Sequence, residues 1–360
     1  MTHRIRRRLV GYLSVCGLML VALPTAAQER MFLRLPTEVT TPRAVGLGGA
    51  LAGLGGDAAA MAGNPASLIA VPRSLDVTVA GGNRGGFTVG IAAHPLATLA
   101  FGVLLPAFDQ RLPLVPIQAA AATDLRPRDG RYIGAGIAWK PDRRVALGVL
   151  GEWQHLCILG GATDERRSWF GWSAGLYVQP DNPDGTRLGL SYRKGTNEGF
   201  TDDPLDPVRV QRPDIFSFGV AWRYAWLKNT RLILALQPDL VRYPKALGVG
   251  RNEFDLRAGI EAWFPFGRCV SGCGGLVQVR AGVVSRSAIP TISPRGGGSY
   301  DPGQRSTGVA VGASLAPEVG GGKFKADVSY SWESHGWLAG LSYRFPTAFR
   351  GDLQHHRVRK

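Results

Sequence analysis

The stretch IFSFGVAWRYAW, residues 215–226, decides the fold because large apolar side chains occupy every second position from Phe216 onward. One face of this stretch carries Phe216, Phe218, Val220, Trp222, Tyr224 and Trp226. The other face carries Ser217, Gly219, Ala221 and Arg223. Successive side chains of a β-strand point to opposite faces of its sheet, so the alternation predicts a strand with one apolar and one polar face.

The same period of two residues recurs along the chain, for example in RLGLSYR (187–193), FDLRAGIEAWF (254–264) and FKADVSYSWE (324–333). It predicts fourteen strands, near residues 74–82, 86–94, 97–106, 131–140, 143–157, 166–179, 186–195, 213–226, 230–241, 252–265, 275–288, 304–316, 323–333 and 336–345. The stretch 115–124 is assigned to a loop, because one more strand would make the number odd. An even number of strands brings both ends of the sheet to the same side.

Hydropathy leaves two kinds of β-protein open. No apolar run after residue 27 approaches the roughly 20 residues of a membrane-spanning helix, and the mean hydropathy of the whole chain is −0.01. The chain therefore forms either a secreted, soluble β-sandwich or a membrane β-barrel. The strands of a barrel look weakly hydrophobic because only one of their faces meets lipid.

Two features favour the barrel. The polar faces mix glycine, serine and alanine with single charged residues, as expected for an interior that holds water or a ligand. Large aromatic residues gather on the apolar faces, as in the aromatic girdles of outer-membrane barrels. The tryptophans with this placement are Trp139, Trp153, Trp172, Trp222, Trp226, Trp332 and Trp337. We therefore expect an all-β fold, a transmembrane antiparallel β-barrel of about fourteen strands over residues 74–345, in the bacterial outer membrane.

The connections between the predicted strands alternate in length. Short turns alternate with long loops, and the long loops cover residues 107–130, 158–167, 195–212, 242–251 and 287–304. Outer-membrane barrels have short periplasmic turns and longer extracellular loops. The alternation therefore indicates the same asymmetry here.

The N-terminus resembles a targeting segment. Residues 1–27 combine four arginines, an apolar run of about 15 residues and the small residues of PTAAQ, which is typical of a secretory signal peptide. Removing those four arginines and no acidic residue lowers the formal charge from +15 to +11. An exported basic protein meets anionic surfaces, so the expected partners are outer-membrane lipid and lipopolysaccharide, or an anionic small ligand, rather than nucleic acid.

The stretch VGLGGALAGLGGDAAAMAGNPASL, residues 45–68, precedes the first strand. Fourteen strands enclose a wide interior, the lumen, whereas about eight strands are filled by their own side chains. Residues 28–73 are therefore predicted to form a compact hatch that fills the lumen. Asp57 favours the start of a short helix in this hatch, and Asn64-Pro65 ends the helix, because the residue before proline avoids helical geometry.

The segment PRAVGLGGALAGLGGDAAAMAGNPASLIAVPR resembles the N-terminal hatch of the FadL-type outer-membrane transporters of long-chain fatty acids and aromatic hydrocarbons. RYIGAGIAWKPDRRVALG is similar to a hairpin of that family. The resemblance implies a fourteen-stranded barrel closed by a hatch, with passive uptake of hydrophobic small molecules as its function. The hatch motif of the family falls on Gly48, Gly49, Asp57, Asn64, Pro65 and Ala66. A related, PorV-like group implies an alternative function, a protein-binding scaffold or secretion shuttle with a partner at the extracellular loops.

Charged residues on the polar faces of the strands allow two interpretations. The first is a ladder of ion pairs across neighbouring strands. The second is that lumen arginines hold the carboxylate of a ligand through bidentate hydrogen bonds. The candidates for ligand binding are Arg223, Arg257, Arg280 and Arg344.

Other chemistry has little support in the sequence. Cys269 and Cys273 flank a glycine-bearing loop and are the candidates for a small disulfide, with half of a metal site as the alternative. No arrangement of serine, histidine and acidic residues indicates an enzyme, and no motif indicates a cofactor or a metal site. Residues 346–360 form a basic C-terminal tail after the last strand.

Overall fold

A computed structural model describes residues 41–345, with gaps. The gaps are at residues 59, 73, 83–85, 110–125, 161–162, 181–184, 200–208, 228–229, 243–251, 267–274, 287–305, 320–321 and 333–335.

The described residues form sixteen strands. In chain order these are β1 (Leu75–Gly82), β2 (Gly86–Leu96), β3 (Leu99–Asp109), β4 (Arg126–Trp139), β5 (Val145–Gly160), β6 (Thr163–Val178), β7 (Thr186–Arg193), β8 (Thr196–Gly199), β9 (Arg209–Arg212), β10 (Asp214–Leu227), β11 (Thr230–Arg242), β12 (Asn252–Phe266), β13 (Gly275–Arg286), β14 (Ser306–Val319), β15 (Gly322–Ser331) and β16 (Gly336–Phe345). Fourteen of them close into one antiparallel barrel, while β8 and β9 pair only with each other. The barrel closes through β1 and β16, from Leu75 opposite Phe345 to Gly82 opposite Leu338.

The barrel confirms the predicted fold class and the number of wall strands. Parts of the predicted loops are strands, including both ends of loop 107–130, where β3 continues to Asp109 and β4 begins at Arg126. The predicted loop 158–167 is largely strand, because β5 and β6 continue to Gly160 and Thr163 and pair there with each other. The sequence TDERR has no apolar face, so alternation does not predict a strand there. This part of β6 is a strand because it pairs with β5. The predicted loop 195–212 contains the additional small sheet of β8 and β9.

The apolar faces of the strands point away from the barrel interior. On β10, Phe216 and Phe218 are 49% and 41% exposed, whereas Ser217 and Ala221 between and beside them are buried. The tryptophans predicted on this face include five that are exposed, Trp139, Trp153, Trp172, Trp332 and Trp337. A closed barrel with an apolar outer surface and exposed interfacial aromatics is an outer-membrane barrel.

The segment ahead of β1 lies against the inner face of the barrel. Its elements are α1 (Pro42–Gly46), α2 (Ala60–Gly63) and a 3-10 helix (Pro65–Ala70). We call its described residues, 41–72, the hatch segment. Most of its side chains are buried, among them Leu47, Met61 and Leu68 at 0% exposure. No helix among the described residues is long and apolar enough to span a membrane.

Several predicted features lie outside the described residues. These are the signal peptide 1–27, the first part of the predicted hatch (28–40), the loop 115–124, the cysteines Cys269 and Cys273, and the C-terminal tail 346–360. They stay predictions.

Candidate functional site

The contact surface between the hatch segment and the inner wall is the candidate site. It contains the predicted hatch motif and the predicted lumen arginines. Two apolar clusters join the segment to the wall on different sides. One packs Met61, Leu68 and neighbouring small residues against strands β2 to β6, and the other packs Leu47, Leu51 and Leu54 against Ala221, Ile233 and Ala235.

Asn64 holds the centre of this surface. Its side chain is fully buried, and its Nδ2 donates to the carbonyl oxygens of Ala52 and Leu176, both at 3.0 Å. Its Oδ1 accepts from the backbone N–H of Ala66 at 3.1 Å and so caps the 3-10 helix. One amide side chain thus joins two parts of the hatch segment to the backbone of wall strand β6.

Pro65 and Ala66 follow as the first residues of the 3-10 helix. Proline fits there because the first turn of a helix leaves its N–H groups without intrahelical partners. Asn64 itself has an extended backbone, as expected for a residue before proline. Helix α2 therefore ends at Gly63, where the Asn-Pro pair was expected to end it.

Asp57 contributes to both local structure and charge. Its Oδ1 accepts from the backbone N–H of Ala60 at 2.9 Å, at the start of α2, and its Oδ2 accepts from Arg43 Nη1 at 3.1 Å. The two motif glycines, Gly48 and Gly49, have positive φ angles of 62° and 81°. Such angles favour glycine and let the segment turn against the wall.

Arg43, which the sequence analysis did not single out, anchors the hatch segment to the wall. Its Nη2 pairs with Glu261 Oε2 on β12 at 3.0 Å, and its Nη1 also donates to the Gly55 carbonyl at 2.9 Å. Burial opposes a charged guanidinium, but the carboxylates of Glu261 and Asp57 outweigh burial and raise the pKa of Arg43. Arg43 therefore stays charged in its buried position.

Wall carboxylates pair with the predicted lumen residues Arg257, Arg280 and Arg344. Arg280 Nε contacts Glu261 Oε1 at 2.7 Å, and Arg280 Nη1 contacts Asp327 Oδ1 at 2.8 Å. Arg257 pairs with Asp239 at 2.8 Å, and Arg344 pairs with Asp76 at 2.8 Å across the closing seam of the barrel. These contacts fit the ion-pair interpretation of the three residues.

Arg223 has a different environment. Its guanidinium carbon lies 5.2 Å from the centre of the Trp263 ring, which is cation–π geometry. Arg187 and Arg231 lie close enough to interact with it electrostatically. Arg187 donates to the Leu54 carbonyl of the hatch segment at 3.4 Å. Arg223 thus lies in a cationic part of the lumen wall, next to the hatch segment.

A row of wall glycines brings the hatch segment into backbone contact with the barrel. Among the described residues, eleven wall strands each contribute one glycine at which a Cβ would meet the hatch segment. Neighbouring strands often place two of them directly opposite each other, as with Gly148 and Gly175 or Gly189 and Gly219. We call this row the glycine belt: Gly90, Gly102, Gly136, Gly148, Gly175, Gly189, Gly219, Gly259, Gly282, Gly312 and Gly340. Glycine inside a strand often marks such a close approach of another backbone.

The belt was not recognised from the sequence, where polar-face glycine was interpreted as a sign of a wet lumen. The signal was present nevertheless. Glycine recurs on the polar face of strand after strand, and the register of the strands brings these positions together. Recognising it requires the register, which single strands do not reveal.

The described residues contain no group of three or more histidine, cysteine, aspartate or glutamate side chains arranged to hold a metal ion. The buried charges of the candidate site are arginine–carboxylate pairs. These pairs join the hatch segment to the wall and the wall strands to one another.

Comparison with known proteins identifies the fold. No protein-family model and no curated protein matches the chain. Among solved structures, a FadL homologue from Pseudomonas aeruginosa has a TM-score of 0.54 and 13% sequence identity, over 85% of this chain and 98% of that one. The CymD monoaromatic hydrocarbon channel has a TM-score of 0.50 and 14% identity, over 85% and 97% of the two chains. At these identities the similarity concerns the fold, which is that of the FadL-type barrels.

Proposed function

We propose that this outer-membrane barrel, which has the FadL-type fold, mediates passive uptake of hydrophobic small molecules, with the hatch segment as the part that closes its lumen. The observation that carries the proposal is the glycine belt. It supports a segment seated against nearly the whole inner circumference, which is what a closing element needs. One solved structure with this fold is a monoaromatic hydrocarbon channel, which supports the hydrophobic substrate class.

The chemistry of the lumen fits a substrate that is apolar and carries at most a small anionic group. One side of the hatch segment packs on an apolar wall cluster around Leu104 and Leu150, which suits an acyl chain or an aromatic ring. On the other side, Arg223 lies over Trp263. A guanidinium binds a carboxylate through two parallel hydrogen bonds, so Arg223 is the proposed contact for a fatty-acid headgroup.

Uptake is tested in cells of a bacterial host whose own fatty-acid transporter has been removed. Cells that produce the protein should take up a radiolabelled long-chain fatty acid or toluene faster than cells with an empty vector. Equal rates for both substrates would contradict the proposal.

The Arg223 contact is tested separately. Arg223→Gln should slow uptake of the fatty acid and leave uptake of toluene unchanged, because toluene has no carboxylate. If Arg223→Gln slows both to the same extent, the arginine supports the structure and does not contact the ligand.

The alternative, a protein-binding scaffold, predicts a different result. A partner protein would co-purify with the barrel after mild detergent extraction, and the protein would not change uptake of either substrate.

A further inference from the structure

The membrane-facing surface of the barrel carries a groove of about 570 Å³ across strands β6, β7, β10, β11 and β12. This volume is within the range of about 300–1,000 Å³ typical of small-molecule sites. The strand register places its first row of residues side by side, one on each strand: Ala174, Tyr192, Phe216, Leu240 and Phe254. Phe216, Leu240 and Phe254 are 49%, 44% and 52% exposed, so the groove faces the surroundings of the barrel.

Small residues create the depression. Ala174 on β6 lies between the larger Trp172 and Leu176, and Pro238 lies in the part of the groove formed by β11. The side walls are large and apolar, with Leu190 and Phe218 at 48% and 41% exposure. The groove is therefore shaped for an elongated apolar group.

Aromatic contacts hold one wall of the groove in place. Tyr192 packs edge-on against Trp172, with 5.4 Å between ring centres, and its ring is tilted against that of Phe216, with 4.6 Å between ring centres. The Tyr192 hydroxyl donates to Asp214 Oδ1 at 3.2 Å. This fixed wall means that a bound chain would not have to order the side chains it touches, which lowers the entropic cost of binding.

Charge lies at one end of the groove. The next row of residues toward the long connections holds Lys194, Asp214 and Arg242, with Asp214 directly opposite Arg242. The Lys194 side chain is 49% exposed and its Nζ lies 3.3 Å from Asp214 Oδ1. That hydrogen bond raises the pKa of Lys194, which therefore stays protonated. Two cations against one carboxylate leave a net positive rim.

The rim marks the outer face of the membrane. The long connections, at the ends of β7, β11 and β13, are on the same end of the barrel as Lys194 and Arg242, and both ends of the wall, Leu75 and Phe345, are on the opposite end. Longer loops are extracellular in outer-membrane barrels. A lipid in this groove would thus belong to the outer leaflet, with its headgroup at the cationic rim.

We infer that the groove binds an acyl chain of a phosphate-bearing lipid of the outer leaflet, with the phosphate beside Lys194 and Arg242. This inference does not rest on the proposed uptake. Its occupant is a lipid retained from the membrane, in addition to the lipid that surrounds the rest of the barrel.

Photolabelling of the full-length protein in detergent micelles tests this inference. The probe is phosphatidylglycerol with a diazirine in one acyl chain, and mass spectrometry locates the labelled residues. We expect label to concentrate on the peptides that contain Leu190, Phe216 and Leu240. Even labelling of all membrane-facing peptides would overturn the inference.

Two variants separate the apolar and the charged parts of the site. Ala174→Phe fills the groove and should abolish the concentrated label, whereas Ala135→Phe, at an exposed position on β4, should not. Lys194→Gln combined with Arg242→Gln should reduce labelling by phosphatidylglycerol and leave labelling by a diazirine diacylglycerol unchanged. Unchanged labelling in Ala174→Phe would exclude the groove as the site. If a diazirine fatty acid outcompetes the phospholipid there, the groove is an access point for substrate and the lipid assignment is wrong.

Discussion

At the residue scale, the hatch motif stabilises the contact between the hatch segment and the wall through hydrogen bonds rather than through helix propensity. Asn64 satisfies two carbonyl oxygens and one N–H group with a single side chain. The hydrogen bonds with Ala52 and Ala66 are buried, and the one with Leu176 is partly buried. Leaving a buried polar group without a partner costs about 1–3 kcal/mol. An amide supplies both the donors and the acceptor, and few other side chains of this size do so.

Asn64→Ala should therefore weaken the seating of the hatch segment by a few kcal/mol, about 1–3 for each polar group left without a partner. The barrel itself should still assemble, because its strand pairing does not depend on Asn64. We expect higher permeability to a small polar solute, measured by the swelling rate of liposomes that contain the purified protein.

Ser67→Ala is the matched control for this variant. Ser67 is fully buried in the same 3-10 helix, and within the described part of the chain its hydroxyl has no hydrogen-bond partner. Liposomes that contain the Ser67→Ala variant should swell at the same rate as liposomes that contain the wild type. Equal rates for Asn64→Ala and the wild type would contradict a role for Asn64 in closing the lumen.

At the element scale, the hatch segment and the wall strands fit because small residues occur on both sides of the contact. On the segment, Gly48 and Gly53 lie against the wall backbone near Val283 and Gly219. On the wall, the glycine belt removes the side chains that would hold the segment away. Interiors are close-packed, so even one added methyl group in such a contact is felt.

Gly189→Ala tests this fit. A Cβ at this position would overlap the Ala52 carbonyl oxygen and lie 2.8 Å from Asn64 Nδ2. Overpacking of this kind typically costs about 1–3 kcal/mol, so the segment should shift or detach. Cells that produce the variant should become more sensitive to large antibiotics that the outer membrane normally excludes.

Gly151→Ala provides the comparison. Gly151 also lies in a wall strand, but a Cβ there would meet only the end of the Phe170 ring at 3.2 Å, which is a side chain that can move. It introduces the same change of residue without touching the hatch segment. If both variants sensitise cells equally, loss of wall stability explains the effect and the fit of the hatch segment does not.

At the scale of the whole molecule, the backbone pairing of the barrel wall is complete without the hatch segment. The fourteen wall strands form a closed cycle of backbone pairs with no free edge, which satisfies the backbone without help from the interior. Charged groups of the wall also pair within the wall, as Arg280 does with Glu261 and Asp327. The hatch segment adds Arg43 to this network and makes further side-chain hydrogen bonds with the wall, such as those of Asn64 with Leu176 and of Arg187 with Leu54.

Deletion of residues 28–70, with the predicted signal peptide 1–27 kept, should therefore leave an assembled barrel. We expect the variant to reach the outer membrane and to resist protease there, while solutes cross it faster than they cross the wild type. Protease protection and dye uptake in the same cells measure both properties. Failure of the shortened chain to assemble would show that the segment is needed for folding, and unchanged dye uptake would show that it does not close the lumen.

The sequence by itself determined the fold class, the fourteen wall strands and which face of each strand meets lipid. These follow from a local property, the alternation of side chains in strands such as 215–226. Such a local pattern can be recognised without knowing which distant segments pair. It also marked Asn64-Pro65 as the end of a helix, because proline restricts the residue before it.

The tertiary structure alone decided which residues meet across the lumen. Arg43 and Glu261 are 218 positions apart, and their pairing depends on how the barrel closes. The glycine belt depends on the register of eleven strands at once, and the outer groove on the register of five. Strand register is fixed by pairing between distant segments, so contacts between hatch, wall and membrane emerge only when the sheet has closed.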